Sequence, residues 1–172
     1  MSKPSSISEN DFINITKNFR ELEATLKKIG VPAEKLVEEA FKISACWLRL
    51  AEEHLNEAAI LQTKQCERAV YSRSYYAVYN ASKSLRYIVY GKTSLRADDH
   101  QKASDLPDDL PDAANWSQKI NILYEHRLRA DYDNWTDTKT QNSLTADDAL
   151  KLAKEFINIV KKYILDKFEV EL

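Results

Sequence analysis

Glycine and proline are scarce in this chain, with two glycines and four prolines among 172 residues. Folds built from many short strands need turn residues every few positions, so this scarcity argues against a sandwich or barrel and for long helices. Cysteine is equally sparse. Cys46 and Cys66 have no close-spaced partner, which excludes a disulfide framework and the paired-cysteine spacing of a zinc or redox motif, and both read as free thiols. No apolar run approaches the roughly 18 residues that a membrane-crossing helix requires, so no membrane contact is expected. The opening segment MSKPSSISEN lacks an apolar stretch and does not read as a secretory signal, and the expected location is cytoplasmic. Charge of one sign is also lacking. A formal net charge of -2 provides no general field for nucleic acid, so any phosphate-binding site has to be a local patch.

What is present is an ordinary folding composition. Hydrophobic residues at 44% and charged residues at 30% are enough for one domain with a core. Phe12, Ile15, Phe19, Leu22, Leu26 and Ile29 recur in steps of three and four, which predicts one helix from about Asp11 to Lys28 with Ser8 and Asp11 as its cap. Such a stripe packs on its own domain or pairs with a partner helix, and the shortness of the repeat favours the first. Gly30 and Gly91 each follow a periodic segment, where a helix ends in a left-handed residue. A second helix is predicted from Pro32 to about Leu61, buried along Leu36, Ala40, Phe41, Ser44, Trp47, Leu48, Ala51, Leu55, Ala58 and Ala59. The third, Glu67 to Tyr90, carries six tyrosines and little polar surface, which places it at the centre of a bundle. Residues 92–115 contain DDHQKASDLPDDLPD and read as a loop with at most a short helix. A fourth helix is predicted from Trp116 to Arg129 with Asn115 as its cap. The segment DYDNWTDTKTQNS reads as a second loop, and the last helix starts after Thr145 with Asp148 completing the cap. The expected fold class is all-α: an antiparallel bundle of about five helices with an added N-terminal helix, in which residues 1–44 form the arm and the start of the second helix and 45–172 the bundle.

Two segments resemble a known family. RAVYSRSYYAVYNASKSLRYIVYG, residues 68–91, resembles the long central helix of HEPN domains, and HRLRADYDNW, residues 126–135, resembles the Arg-x-x-Ala-Asp-Tyr-Asp signature of one HEPN branch. The resemblance covers about residues 45–168. It implies a helical bundle that commonly forms a homodimer. Its catalytic members are metal-independent endoribonucleases that use an arginine followed four to six residues later by histidine, and many act as toxins beside a small nucleotidyltransferase antitoxin. This chain departs from that pattern: Tyr132, Asp133, Asn134 and Trp135 follow Arg127 where the histidine belongs, and Asn134, Trp135 and Thr136 follow Arg129.

Metal-free RNA cleavage needs a base for the 2′-hydroxyl, an acid for the leaving oxygen and positive charge for the phosphorane. The candidate catalytic residues are Arg127 for the charge, His126, His100 or Asp131 as base, and Tyr132 as proton donor. Arg73, Arg129, Asn80 and His100 are the candidate RNA or phosphate contacts. Arg127 and Asp131 are four apart, so they share a helix face and form an ion pair in the purely structural reading. Arg129 and Tyr132 are three apart and pack together in the same reading. His54 and His100 lack neighbours at metal-ligand spacing, so no metal and no cofactor is expected. Three functions stay open: an RNA-directed protein that cuts or binds RNA, a non-catalytic partner of a nucleotidyltransferase in which Tyr132 receives a nucleotide, and a helical scaffold without chemistry. In the last, Arg127 is fully engaged by Asp131 and no cleft admits a phosphate.

Overall fold

A computed structural model describes residues 8–94, 97–133 and 144–172, with the side chains of residues 97 and 98 left aside. Among them are six α-helices and one 3₁₀ turn: α1 (Glu9–Thr16), α2 (Phe19–Lys28), α3 (Glu34–Thr63), α4 (Glu67–Tyr90), the turn (Ala97–Lys102), α5 (Ala113–Tyr132) and α6 (Ala146–Phe168). None of these helices is long and apolar enough to cross a membrane. The described residues are all helical, as the sequence predicts, and α4 runs through the middle with α3, α5 and α6 packed on it.

The short link between α3 and α4 makes them antiparallel. Ser44 meets Ser84 through their hydroxyls at 2.7 Å at one end, and His54 meets Tyr76 further along. Tyr75, Val78, Ala81, Leu85 and Ile88 on α4 are fully buried, which follows from a helix with apolar or small residues on most sides. On α6 the periodic apolar residues Ala149, Ala153, Phe156, Ile157, Val160 and Ile164 are buried, and Thr145 and Asp148 form a reciprocal capping box at its start. On α3 the predicted face is buried at Ala40, Ser44, Trp47, Leu48, Ala51 and Ala58 and half-buried at Leu36, Phe41 and Leu55, while Ala59 is exposed.

The N-terminal arm differs from its expectation. The single helix over Asp11–Lys28 is broken in two at Lys17, whose φ of 54° is outside the helical range, and Asn18 recaps the chain by accepting from the N–H groups of Arg20 and Glu21. The break rotates the apolar stripe. Phe12, Ile13 and Phe19 pack against Trp47, Tyr87 and Ile88, while Ile15 and Ile29 stay 69% and 67% exposed. Long-range docking drives it: the Phe19 N–H donates to the Gly91 carbonyl at 2.8 Å, and Arg20 Nε donates to the Ile88 carbonyl at 2.8 Å.

Gly91 is essential to this docking. It ends α4 at φ 75°, and a Cβ placed there would lie 2.1 Å from Asn18 Oδ1 and 2.7 Å from the Arg20 nitrogen. Gly91→Ala therefore combines a left-handed alanine with a backbone clash and is expected to destabilise by about 2–4 kcal/mol. The readout is thermal unfolding, with a fall in Tm on the order of 5–10 °C. An unchanged Tm would contradict the docking.

The fourth helix also differs at its start. It begins at Ala113 rather than Trp116, and Asp112, in the left-handed region, occupies the cap position. Asn115 is not the cap. Its amide donates to Asp112 Oδ2 at 2.6 Å from inside the first turn. The helix runs on through Asp131 and Tyr132, which the sequence places in a loop, whereas the rest of that predicted loop, 134–143, lies outside the described residues.

Candidate functional site

The site grows from the middle of α4, where Tyr75, Tyr76 and Tyr79 face the last turns of α5. Arg127 on α5 donates from Nη2 to the Tyr76 hydroxyl at 2.9 Å. Its guanidinium carbon lies 5.4, 5.6 and 5.9 Å from the ring centres of Tyr76, Tyr132 and Tyr75, which is cation–π range for all three. Burial works against its charge, but Tyr76 and Asp131 outweigh it and push the Arg127 pKa up. The predicted ion pair is present, with Asp131 Oδ2 2.7 Å from Arg127 Nε. That Nε nevertheless has no hydrogen-bond partner, so the carboxylate sits beside it off the N–H direction, as a charge contact rather than an aligned bond. Of the five N–H donors of this arginine, one is directed at an acceptor among the described residues. Arg127 is held but not saturated.

His100 reaches this cluster from the 3₁₀ turn. Its Nδ1 is 3.1 Å from the Tyr75 hydroxyl, its ring stacks on Tyr79 at 4.2 Å, and it meets Tyr76 edge-on at 5.9 Å. The bond to Tyr75 fixes the ring. When Nδ1 donates to the phenol oxygen, Nε2 carries the lone pair that a general base needs. Burial, followed by the charge of Arg127, lowers the His100 pKa, with Asp99 opposing. The imidazole is therefore neutral at neutral pH.

A buried ion pair that the sequence does not advertise holds the turn in place. Arg86 on α4 binds Asp99 through both terminal nitrogens, at 3.1 and 3.0 Å, and Tyr79 donates to the same carboxylate at 3.0 Å. Arg86 is 4% exposed and Asp99 fully buried. Burial alone would raise the Asp99 pKa, but the Arg86 hydrogen bonds and charge hold it below the ordinary carboxylate value. Ser82 donates to the Ala103 carbonyl at 2.7 Å and fastens the other end of the turn to α4. His100 lies between these two clips.

The remaining candidates divide. Arg73 lies on the rim, its Nε 3.2 Å from Glu57 and its Nη1 3.4 Å from His54 Nδ1. With Arg68, Ser72 and Asp131 it lines an open depression of about 430 Å³ beside the Arg127–Asp131 pair. Tyr132 is at the mouth, 69% exposed. His126 is not in the cleft: one residue from Arg127 means about 100° around the helix, which turns it into the core, 5% exposed and stacked on Tyr71 at 5.4 Å. Asn80 donates to the Tyr76 carbonyl at 2.8 Å, one turn back on its own helix, and so serves the backbone. Arg129 is exposed and does not pack on Tyr132, whose ring goes to Arg127 instead. Sequence reasoning missed Tyr76, which accepts from Arg127, and two residues besides. His54 stands 5.6 Å from the Tyr76 ring with Nδ1 3.2 Å from Glu57, and Arg68 donates to the Ala130 and Asp133 carbonyls that end α5. The signal for Arg68 was its place on the first turn of α4, which has to meet the end of an antiparallel α5.

The His100 pKa shift has a thermodynamic consequence. A histidine whose folded-state pKa is depressed takes its proton more readily when unfolded, so its contribution to stability is full above the ordinary value of 6.5 and declines as pH falls below it. His100→Gln removes this loss. Denaturant unfolding between about pH 7 and about pH 5 is expected to show a smaller decline for the variant than for the native chain. A remainder stays in both, because burial also depresses His126.

The described helices thus bring one arginine, one histidine and several phenols together beside an open depression. The family model for the HEPN domain matches residues 44–163, and this chain belongs to that family. No curated protein and no solved structure matches it.

Proposed function

We propose that the chain acts on RNA, with the cleft around Arg127 holding a backbone phosphate and His100 taking the place of the histidine absent after Arg127. The observation that carries this reading is the convergence of an unsaturated Arg127 with a neutral, oriented His100 on the Tyr76 ring. In the transesterification this supports, His100 Nε2 accepts the proton of the 2′-hydroxyl as the 2′-oxygen bonds to phosphorus. Arg127 and Arg73 stabilise the phosphorane, and the bond to the 5′-oxygen breaks as the Tyr76 hydroxyl protonates it. The imidazolium then returns its proton to Tyr76, leaving a 2′,3′-cyclic phosphate and a 5′-hydroxyl. Asp131 and Tyr132 act as positioning residues that hold the guanidinium.

The unsaturated arginine and the adjoining depression speak against the scaffold reading, which requires Arg127 fully occupied and no room for a phosphate. The toxin-like role, the homodimer and the nucleotidyltransferase partner are further parts of the proposal that the family suggests; exposed Tyr132 is the nucleotide acceptor in the partner reading. The experiment is incubation of structured RNA with the chain in excess chelator, followed by end-group analysis. Cyclic phosphate ends that disappear in His100→Gln support the reading. Binding without cutting in both proteins leaves RNA recognition and removes catalysis, and neither binding nor cutting moves the function to the partner role.

A further inference from the structure

Asp99 has a second face. Together with Arg86 it lines a separate cavity of about 590 Å³, to which neither His100 nor Arg127 contributes. Lys17, Lys92 and Lys102 enter this cavity from three different places: the break between α1 and α2, the segment after α4 and the end of the 3₁₀ turn. The carboxylate of Asp99 is already taken by Arg86 and Tyr79, so among the described residues Asp105 is the one other acid in the wall. The side chains of the three lysines and of Asp105 have no hydrogen-bond or ion-pair partner among the described residues. The Thr93 hydroxyl is buried in the same wall without a hydrogen-bond partner, an arrangement that native proteins seldom tolerate unless something fills the space.

Lysines on one helix face are ordinarily a solvated surface. Here the three belong to separate elements and are brought together by the fold, with Lys17 delivered by the residue that breaks the helix at positive φ. Among the described residues, three ammonium groups face the carboxylate of Asp105 in the wall and that of Asp108 beside Tyr90, which leaves a local excess of positive charge in a chain whose net charge is negative. Ammonium groups are compact point charges that bind phosphate oxygens without demanding one planar geometry. The volume lies within the range of small-molecule sites, and Tyr90, 40% exposed, offers a ring at the wall.

We infer that this cavity binds a small molecule bearing a diphosphate, held by Lys17, Lys92 and Lys102 with the Thr93 hydroxyl as a further contact. The three lysines and Thr93 stand apart from the Arg127 cluster, and the two sites share only the Arg86–Asp99 pair that holds the turn between them. A ligand there bridges the 3₁₀ turn to α4 and to the α1–α2 junction, and so reinforces the segment that carries His100.

The test is isothermal titration of the full chain with pyrophosphate and, in parallel, with ADP, at low salt. The proteins compared are the native chain, the double variant Lys92→Ala/Lys102→Ala, and Arg127→Ala. The expected result is one site per chain that is weakened about 100-fold in the double variant, about tenfold per lysine removed. In Arg127→Ala the affinity stays within about twofold, and unfolding curves of the double variant match the native chain because both lysines are unpaired. Equal affinity for the two probes assigns the ligand as the diphosphate alone, and tighter ADP adds a base resting on Tyr90; both support the site. Absence of binding by millimolar probe overturns it, as does binding that Arg127→Ala abolishes and the double variant leaves intact.

Discussion

Arg127→Ala is expected to eliminate RNA cleavage, lowering kcat/KM by about 10²–10³, on the order of 3–4 kcal/mol of transition-state stabilisation. The estimate follows from the geometry. The guanidinium is held against three phenol rings and directs one of its donors at a protein acceptor, Tyr76. It is therefore pre-oriented and still able to take up a phosphate, so nothing has to reorganise when charge develops on the phosphorane. The fold has little stake in this residue, because Asp131 and Tyr132 lie at the exposed end of α5, and the variant is expected to keep its Tm within a few degrees. A second consequence distinguishes a direct effect from a fold defect. Burial lowers the His100 pKa most, followed by the charge of Arg127 and then that of Lys83, so removing Arg127 moves the His100 titration up toward the ordinary value of 6.5. Loss of activity with no such movement would place Arg127 away from His100 in solution.

The largest stability effect is expected at the Arg86–Asp99 pair. Each partner is the main neutralising contact of the other and both side chains are buried, so removing one leaves a buried charge uncompensated. Arg86→Ala and Asp99→Ala are each expected to destabilise by about 3–5 kcal/mol, a fall in Tm on the order of 10–15 °C. An apolar pair of similar bulk, Arg86→Met with Asp99→Leu, is expected to recover much of this, because no charge is then stranded. The prediction for activity runs the other way. The double variant loses the clip that presents His100, so cleavage stays low while stability returns. Recovery of both together would show that the bridge stabilises the bundle without positioning the turn.

Much of this bundle was legible in the sequence. The boundaries of α4 and the cap of α6 follow from local signals: glycine at one end, Thr145 and Asp148 at the other. The ion pair of Arg127 with Asp131 follows from helical spacing alone. The failures are all non-local. The α1–α2 break is imposed by hydrogen bonds to the far end of α4, which a periodic stripe from Phe12 to Ile29 cannot disclose. Asn115 and Asp112 are both good caps, and their order was decided by how the Leu106–Leu110 segment packs into the core. His126 stands next to Arg127 in sequence, yet its side of the helix faces the core. His100 and His54 become neighbours of Tyr76 through the packing of three elements on α4, and no spacing rule joins them. The histidine missing from its place after Arg127 was sought along one helix, whereas the fold supplies one from the turn.

One measurement addresses the central claim directly. The imidazole resonances of His54, His100 and His126 are followed by NMR as a short RNA, 2′-O-methylated so that it binds without being cut, is added to the native chain. If the Arg127 cleft receives the phosphate backbone, the His100 signals move strongly and saturably while those of buried His126 stay in place. If His100 is unmoved at saturating RNA, the ligand binds elsewhere and the cluster of Arg127, Tyr76 and His100 is not the site.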